Sequence, residues 1–522
     1  MRTHLVLTLL PVVSAVSAFQ LPFKLPFFNQ PSVQQPLQPT NTRPRIAIIG
    51  AGSGRGRPIR ERVVHRRACV HHCGHFVRVL TSISSSTGST VVFPHDNTSL
   101  PAIELGASIF VKANKNMWRA VDEFNLTRRD FRDDKGMGIW DGEKLLFTVN
   151  LIPPYLASGG WWSWWDNAKA LLRYGFQSPR RTQAFVDKML AQFLHLYSPE
   201  APKWDNITHL SSTLEWTELV SQSTSDYLRS EGVSDKFISE LVEASTRVNY
   251  GQNADEIHAL EGACSLAPTG ASAVQGGNFQ VFEQFLKRSQ ANVYLNTTVK
   301  SISPTTSNRW VLDSDRGSET YTAVILAAPY HSTKIQVPVD VSSRIPTQPY
   351  VHLHVTLLTT TQPSIPPQSF SLPASTKIPA MLLTTFEGAR NGGKEPEFNS
   401  MSYHGLISEG EWVVKIFSKK RMSNKWLSKM FDGKVGWVLR KEWDAYPVLP
   451  PTSSFPEVKL APGLYYVNSF EPFISTMETE TLASRNVVDM LLKDSFESGI
   501  CGPAGTPLND TDKEDYVFGW DC

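Results

Sequence analysis

The chain has 522 residues, of which 51 are basic and 49 acidic, and its formal net charge is +2. This length allows two domains, or one domain with a large second domain inserted into it, and the near-balance of charge gives no indication of a general affinity for nucleic acid or for an anionic membrane surface. Five cysteines are too few for a disulfide-rich scaffold of this size.

The amino terminus has the pattern of a secretory leader. Residues 1–18 join Arg2 and His4 to an apolar stretch that ends in small residues, which is typical of a signal peptide, and residues 19–44 form a linker rich in proline and glutamine. The apolar stretch is shorter than the ~20 residues of a spanning helix, so we predict no transmembrane segment. We expect a protein of the secretory pathway, in the lysosome or vacuole lumen or outside the cell.

Candidate modification sites agree with that route. Cys501 and Cys522 flank the carboxy-terminal tail, residues 501–522, and are able to pair, although sequence alone does not decide it. Asparagine glycosylation is predicted at the five Asn-X-Ser/Thr sequences, those of Asn97, Asn125, Asn206, Asn296 and Asn509.

The first strong structural pattern is an apolar strand followed by glycines. Residues 46–49 suit a strand buried on both faces, and Gly50, Gly52 and Gly54 follow it. Glycines at 50 and 52 allow a tight turn and close approach of the backbone to a diphosphate, as in a Rossmann dinucleotide site. The fingerprint has its third glycine at position 55, where this chain has Arg55, so the motif predicts a nucleotide but is incomplete.

Residues 55–89 depart from the rest of such a site. They show no amphipathic helix, no second apolar strand and no acidic residue for the adenosine ribose, and Pro58 lies where the helix interior should be. A disordered basic loop, a zinc site and a reading-frame or splice-site error in the gene are the three interpretations. We favour the error, because ordinary patterning stops after residue 54 and returns abruptly at Thr90.

The zinc interpretation rests on a short run of cysteines and histidines. Their spacing is not one of the usual zinc pairs, and the thiols would have to stay reduced in a secretory compartment, so we predict no metal site. The residues concerned are Cys69, His71, His72, Cys73 and His75.

Residues 116–244 are predicted to be mainly helical. Helices are expected at 114–126, 183–197 and 212–230, the last opened by a capping box of Ser212 and Glu215. The aromatic run at 161–165 either lines a substrate channel, makes peripheral contact with a membrane, or packs inside the protein.

From residue 278 onward the pattern is dominated by strands. The last unit is a strand at 464–467 and a capping box, Ser475 to Glu478, that opens a helix. A helix is expected at 278–289, strands at 292–299, 310–312 and 321–329, and antiparallel strands between 331 and 454. A dinucleotide loop, a strand near 300, an Ala-Ala-Pro strand end and a capped last helix occur in the order of a discontinuous flavoprotein domain.

From Val91 to about Ser498 the chain resembles the prenylcysteine oxidase (prenylcysteine lyase) family, FAD enzymes related in fold to flavin amine oxidases. The resemblance implies an α/β fold with a Rossmann-like FAD-binding domain, discontinuous in sequence, and an inserted α+β substrate domain. The FAD-binding domain would comprise residues 45–115, 245–330 and 455–500, and the substrate domain 116–244 and 331–454. The motifs that carry the resemblance are Phe93-Pro-His-Asp96, Glu104 to Asn114, Arg173-Tyr-Gly175, Arg247 to Gln252, Gln275-Gly-Gly-Asn278 and Ser475 to Glu480.

The resemblance also implies where FAD binds. The N-terminus of the last helix would stabilise charge on the reduced flavin, although ordinary helix capping explains the same residues equally well. The implied contacts are Gly50, Gly52 and Gly54 at the diphosphate, Glu104, Gly106 and Ala107 at the ribityl-flavin portion, the Val299 backbone at the adenine, and Glu478 and Thr479 at the isoalloxazine.

Three features of residues 55–89 differ from the family pattern. Arg55 replaces a glycine, no acidic residue ends the second strand, and Ser86-Thr-Gly88 stands where the family has Gly-Gly-Arg. These changes would remove a ribose partner and a phosphate-facing arginine.

The activity implied by the resemblance is FAD-dependent oxidation of the thioether of S-prenyl-L-cysteine in the breakdown of prenylated proteins. The products would be cysteine, a prenyl aldehyde and, with O₂ as acceptor, hydrogen peroxide. Because the flavin carries the hard chemistry, the protein needs an apolar channel and polar groups for the amino acid, and no catalytic residue is assigned. The alternatives are a flavin amine oxidase with another substrate and a flavin-free secreted glycoprotein.

Overall fold

The computed structural model describes residues 44–50, 77–80, 91–131, 136–149, 171–503, 513 and 515–522. Residues 44–522 form one compact unit. The predicted signal peptide and linker, the aromatic run at 161–165, and Gly52, Gly54 and Asn509 lie outside the described residues.

The described secondary structure is mixed. In chain order the strands are β1 (Ile46–Ile49), β2 (Val77–Leu80), β3 (Val91–Val92), β4 (Ile103–Glu104), β5 (Arg128–Asp130), β6 (Met137–Trp140), β7 (Leu145–Val149), β8 (Ser272–Val274), β9 (Asn292–Tyr294), β10 (Val299–Pro304), β11 (Trp310–Ser314), β12 (Gly317–Tyr321), β13 (Ala323–Leu326), β14 (Tyr350–Thr360), β15 (Met381–Thr384), β16 (Ser400–Ser408), β17 (Glu411–Ser418), β18 (Val435–Pro447), β19 (Lys459–Ala461), β20 (Leu464–Tyr466), β21 (Ser498–Gly499) and β22 (Gly502–Pro503).

The helices fall between these strands. The α-helices are α1 (Lys115–Glu123), α2 (Gln177–Leu194), α3 (Ile207–Thr213), α4 (Thr217–Ser221), α5 (Thr224–Ser230), α6 (Asp235–Phe237), α7 (Glu243–Tyr250), α8 (Ala259–Leu266), α9 (Phe279–Arg288), α10 (Tyr330–Thr333), α11 (Val339–Ser342), α12 (Glu387–Arg390), α13 (Asn424–Met430) and α14 (Met477–Phe496). A π-helical segment, Ile238–Val242, joins α6 to α7.

A six-stranded sheet is assembled from segments far apart in the sequence. Its order is β19-β20-β13-β1-β2-β9, and all neighbours except β19 and β20 run parallel. Every residue of β1 and β13 is buried, as expected for parallel strands covered on both faces. The carboxyl ends of the parallel strands therefore meet along one edge, where α/β sheets bind their ligands.

A seven-stranded sheet supplies the second layer of the structure. Its order is β18-β14-β17-β16-β15-β6-β7, with one parallel pair, β15 and β6. Side chains of β14 alternate between its faces. Leu353, Val355 and Leu357 pack with Ile103 and Leu105, next to the predicted cofactor segment, whereas Leu358 packs in a separate core on the other face.

Several predicted elements are confirmed. The helix expected at 114–126 is α1, with Met117 and Val121 buried. The helix expected at 183–197 is α2 followed by the 3₁₀ turn His195–Tyr197, and α9 lies within 278–289. The antiparallel pattern between 331 and 454 corresponds to β14, β16, β17 and β18.

The predicted absence of a second apolar strand after residue 54 is wrong. Residues 77–80 form β2, which pairs in parallel with β1 and β9. The strand is four residues long and includes Arg78, so neither its length nor its composition distinguishes it from the basic segment around it. No acidic residue occurs between 62 and 95, so the expected ribose partner is missing from the sequence after this strand.

The single helix predicted at 212–230 is also wrong. Three helices, α3, α4 and α5, occupy 207–230. The Asn206 side chain accepts a hydrogen bond from the His209 N–H and begins α3, so Ser212 lies inside a helix instead of capping one. Glu215 has a left-handed backbone, φ 57°, which ends that helix, and the side chain of Ser223 caps α5.

Two boundaries differ by small amounts. The predicted strand at 292–299 is divided between β9 and β10. The cap of the last helix is Thr476 and not Ser475: the Thr476 and Thr479 side chains satisfy each other's backbone N–H groups. The N–H of Ser475 instead donates to the buried carboxylate of Glu261.

Candidate functional site

The carboxyl edge of the parallel sheet is the first part of the site. Gly50 directly follows β1 and is buried, and Asn468 lies just beyond β20, in the 3₁₀ turn Val467–Phe470. Asn468 is 4% exposed, and among the described residues its Oδ1 has no hydrogen-bond partner. A buried acceptor of this kind normally has a donor, which the hydroxyl groups of a ribityl or ribose chain supply, so this edge fits FAD.

The segment that follows β4 forms the second part. The Glu104 carboxylate accepts a hydrogen bond from the Asn278 N–H at 2.7 Å, and the Asn278 side chain donates to the Ala107 carbonyl at 2.8 Å. Ala107 has φ 51°, a left-handed conformation that costs energy for a residue with a side chain. The predicted residues Glu104 and Ala107 are therefore held in a fixed, unusual turn by the start of α9.

Lys415 joins this turn to the seven-stranded sheet. It is 7% exposed, and its Nζ donates to the Glu104 carbonyl at 3.2 Å and to the Ser108 hydroxyl at 3.3 Å. Gly106 lies against the same sheet, where a Cβ atom at that position would be 3.3 Å from the ring of Trp443. The predicted ribityl-flavin segment thus packs against the seven-stranded sheet.

The N-terminus of α14 is the third part. The N–H of Thr479 donates to the Thr476 hydroxyl, and the hydroxyl of Thr479 lies 2.9 Å from the Thr476 N–H. Among the described residues, the N–H groups of Met477 and Glu478 have no acceptor. These two groups and the positive end of the helix dipole are suited to an anionic or electron-rich group.

The side chain of Glu478 serves a different purpose from its backbone. Its carboxylate accepts hydrogen bonds from the N–H groups of Asn116 and Met117, both at 2.9 Å, and from the Tyr197 hydroxyl at 2.6 Å. A side chain of α14 therefore caps α1. Burial raises the pKa of Glu478 to about 7, although the hydrogen bonds of Tyr197, Met117 and Asn116 oppose the shift.

The structure thus brings together some of the predicted site residues. Glu104, Gly106 and Ala107 form one continuous turn, and Val299 packs with Ala47 and Ile49 of β1 in the core beside the six-stranded sheet. The FAD contacts assigned to these residues and to Gly50, Glu478 and Thr479 remain predictions. For residue 478 the carboxylate is already bound to α1, so the predicted contact would use the backbone N–H.

Two residues of the site were missed by the sequence analysis. Asn468 follows a short apolar strand, and the rule that ligands bind beyond the carboxyl ends of parallel strands is a signal that could have found it. Lys415 lies within an ordinary amphipathic strand, and its contact with residue 104 joins positions 311 apart in the sequence, so no local signal marks it.

His258, a residue without an assigned role in the sequence analysis, is a buried structural group. Its Nδ1 accepts the Glu261 N–H and caps α8, and its Nε2 lies 3.3 Å from the Pro472 carbonyl. Burial lowers the pKa of His258 to about 4. The ring is therefore neutral at physiological pH, with its proton on Nε2 directed to the carbonyl.

Modification sites can be placed in part. Cys501 and Cys522 form a disulfide, which the sequence left open. The sequon asparagines at 97, 125, 206 and 296 are all exposed, so glycosylation at these positions stays a prediction compatible with the fold. In the described part of the chain no helix has the length and apolar composition to cross a bilayer.

Solved structures with a similar fold include two oxidases. Cyclohexylamine oxidase from Brevibacterium oxydans superposes with a TM-score of 0.54 and 13% identity over 86% of this chain and 99% of that one. A putative protoporphyrinogen oxidase from Exiguobacterium gives a TM-score of 0.53 and 12% identity, with coverage of 86% and 99%. These likenesses confirm the predicted α/β fold class.

Sequence comparisons identify the family. Farnesylcysteine lyase of Arabidopsis thaliana is 29% identical over 406 residues, which are 74% of this chain and 77% of that protein. Human prenylcysteine oxidase 1 is 26% identical over 417 residues, 73% of this chain and 77% of that protein. The family model described as prenylcysteine lyase matches residues 159–499. The chain therefore belongs to the prenylcysteine lyase family.

Proposed function

We propose that this protein is an FAD-dependent oxidase of S-prenyl-L-cysteine. The observation that carries the proposal is the match of residues 159–499 to the prenylcysteine lyase family on the α/β fold described above. The reaction breaks the carbon–sulfur bond of the thioether: substrate, water and O₂ give cysteine, a prenyl aldehyde and hydrogen peroxide. When bound, FAD supplies the two-electron acceptor for the carbon beside sulfur.

The residues proposed to hold the cofactor lie beside both sheets. Gly50 and Asn468 lie at the carboxyl edge of the parallel sheet, and the turn from Glu104 to Ala107 lies at the junction with the seven-stranded sheet. Lys415 fixes that turn, because its Nζ donates to the Glu104 carbonyl and to the Ser108 hydroxyl. Binding at these positions would give the buried Oδ1 of residue 468 the donor that it lacks.

The prenyl group requires an apolar surface close to the flavin. The face of the seven-stranded sheet toward residues 103–105 has an apolar cluster beside Lys415, and Phe417, Leu439 and Trp443 in that cluster are only partly buried. Trp443 also lies against Gly106, in the predicted flavin-binding turn. We place the isoprenoid along these three side chains, because a farnesyl chain there gains apolar contact while its thioether end stays near the cofactor.

The decisive experiment measures turnover by the purified full-length chain. Retained flavin absorbance together with peroxide release from S-farnesylcysteine, with equimolar free cysteine, is the expected result. Bound flavin with turnover of simple amines alone would overturn the substrate assignment. A correctly folded chain that retains no flavin, even with FAD added, would leave only the flavin-free glycoprotein.

The placement of the prenyl group is tested by chain length. The Trp443→Ala variant should lose at least about tenfold in kcat/KM for S-farnesylcysteine, since removing a ring from an apolar contact costs roughly 1.5–3 kcal/mol, and lose much less for S-dimethylallylcysteine. Trp412→Ala is the matched control, because Trp412 is also partly buried but packs on the opposite face. Equal losses for both substrates would contradict the placement.

The cellular route is part of the same proposal. The leader-like residues 1–18 and the exposure of the asparagines at 97, 125, 206 and 296 support passage through the secretory pathway to a lysosome, a vacuole or the exterior. Expression in a secreting host should yield a protein that begins near residue 19 and loses mass on treatment with an N-glycosidase. An unprocessed, unglycosylated intracellular product would contradict it.

A further inference from the structure

Two histidines and two acidic residues face one another across neighbouring strands of the seven-stranded sheet. In the antiparallel register of β14 and β18, His352 is opposite Asp444 and His354 is opposite Glu442. Their side chains are on one face because the residues of each pair are two apart along a strand. The His352 Nδ1 is 2.9 Å from a carboxylate oxygen of Asp444, and the His354 Nδ1 is 3.1 Å from one of Glu442.

The His352, His354 and Glu442 side chains form one group, and Asp444 adjoins it through His352. The two imidazole rings are 5.2 Å apart, and potential ligand atoms of His352, His354 and Glu442 all lie within 4.8 Å of one another. The His352 side chain is 53% exposed and that of Asp444 is 44% exposed, so solvent ions reach the group directly, whereas His354 at 17% forms its inner side.

This group is separate from the proposed active site. Leu353 and Val355, the alternate residues of β14, pack toward the predicted flavin-binding turn, so the histidines are on the opposite face of the sheet. The neighbouring cation on the same face of β18, Arg440, does not occupy the group: its guanidinium donates to the Met422 carbonyl and to the Asn424 side chain. Each histidine thus faces a carboxylate across the strand pair.

We propose that His352, His354, Glu442 and Asp444 bind one divalent first-row transition-metal ion of the Zn²⁺ type. Two imidazole nitrogens and carboxylate oxygens are a ligand set that such ions take in tetrahedral geometry. With metal–ligand bonds of about 2.0–2.2 Å, ligand atoms lie roughly 3.4 Å apart, so the site forms by small side-chain rotations from the present separations. The ion replaces the two histidine–carboxylate hydrogen bonds by coordinate bonds.

Coordination would join the edge strand to its neighbour. β18 pairs only with β14 in the described sheet order, and the four ligands cross-link these two strands near one end of β18. An ion that binds the folded chain alone stabilises it by mass action, so bound metal should protect this edge against unfolding. These ligands are about 90 residues apart in the sequence and only the strand register brings them together, so no local pattern predicts the site.

The test is a zinc titration of the full-length chain. It uses a Cys69→Ser/Cys73→Ser background, because the cysteines and histidines at 69–75 are a second potential set of zinc ligands. Calorimetry and metal analysis after dialysis should show one Zn²⁺ per chain bound at micromolar or lower Kd, with a higher thermal midpoint. The zinc-edge X-ray absorption spectrum should show nitrogen and oxygen ligands near 2.0–2.1 Å and no sulfur near 2.3 Å.

Variants identify the ligands. His352→Asn/His354→Asn should weaken binding at least about a hundredfold, and Glu442→Gln at least about tenfold. His209→Ala, which removes an exposed histidine on α3, should leave the affinity unchanged. The proposal is overturned by the absence of binding at ~100 µM zinc, or by an affinity that the double histidine variant does not alter.

Discussion

Strands β1 and β20 lie in the same six-stranded sheet, with β13 between them. The segments that follow these two strands differ strongly in composition. After β1 come Gly50 and then the basic residues from Arg55 onward, with no acid between 62 and 95. After β20 come Asn468 and then α14, whose first turn has a complete reciprocal cap and whose Glu478 carboxylate caps α1. The segment from β20 into α14, here called the last unit, keeps the family motif Ser475 to Glu480. The segment from β1 through β2, here called the first unit, departs from the family pattern.

This difference indicates how the chain would hold its cofactor. The first unit supplies the diphosphate turn in a Rossmann-like site, and its second strand normally ends in the acid that binds the ribose. With that acid missing, a larger share of the proposed FAD binding would fall on Asn468, on the turn from Glu104 to Ala107 and on the N–H groups of α14. The last unit should therefore be sensitive to substitution, and the first should be open to improvement.

The largest effect is expected from Glu478→Ala. The change leaves two backbone N–H groups and the Tyr197 hydroxyl buried without an acceptor, and each costs about 1–3 kcal/mol, so the free energy of unfolding should fall by about 3 kcal/mol or more. Urea unfolding measures it. Glu283→Ala, at an exposed position of α9, is the control and should change stability by about 0.5 kcal/mol or less.

Titration of Glu478 should also make the free energy of unfolding depend on pH. The pKa of Glu478 is about 7 in the folded chain, against 4.5 for an unperturbed glutamate, so its contribution to stability is complete below pH 4.5 and is lost as the pH rises through 7. Relative to Glu478→Gln, the wild type should lose about 3 kcal/mol over that interval. Parallel stability curves for the two proteins would show that the carboxyl group does not titrate there.

Titration of His258 should change stability with pH in the direction opposite to that of Glu478. Its pKa is lowered to about 4 from 6.5, so its contribution is present above pH 6.5 and is lost as the pH falls toward 4. His258→Asn, which retains a side chain able to cap α8, should therefore make the protein less sensitive to acid over that range. Unfolding curves at a series of pH values measure both variants.

The Arg55→Gly variant restores the glycine of the family pattern and so tests whether position 55 limits FAD binding. The family pattern has a glycine at position 55, and a large side chain at a close glycine contact costs about 1–3 kcal/mol, so FAD should bind about tenfold more tightly or better to the variant. Arg57→Gly removes the same charge two residues later and serves as the control. Equal FAD affinity in the Arg55→Gly variant and the wild type would show that position 55 does not limit binding.

The Asn468→Ala variant tests whether Asn468 contributes to FAD binding, and its expected effect is the smallest of those described. Removing one buried acceptor of a hydrogen bond to FAD should cost about 1 kcal/mol of binding free energy, which raises the Kd for FAD roughly five- to tenfold. Flavin fluorescence on dilution measures this Kd. Asn391→Ala, at the exposed end of α12, should leave FAD affinity unchanged. If Asn468→Ala also leaves it unchanged, the residue contributes no hydrogen bond to FAD.

Local patterns predicted the elements that depend on local residues. The buried strand β1, the amphipathic helix α1 and the start of α14 follow from runs of apolar residues and from nearby caps. The three-helix break at 207–230 was missed because the side chain of Asn206 begins α3 and a left-handed Glu215 ends it, although a capping box at Ser212 has the same sequence pattern.

The site depended more strongly on contacts between distant residues. The motif at Glu104 to Ala107 was visible in the sequence, but the buried Lys415 that fixes it comes from a strand more than 300 residues away. Asn468 was not recognised, because its significance lies in the strand that it follows and not in its neighbours.

By itself the sequence determined the fold class and the family, because the order of the apolar strands and the long motifs between 91 and 498 are properties of the chain alone. The tertiary structure decided that the Glu478 carboxylate caps α1, that Cys501 pairs with Cys522, and that His352 and His354 face two carboxylates. The physical reason is that periodicity and capping act over a few residues, whereas strand register and buried hydrogen bonds are set by packing between segments that the sequence does not place side by side.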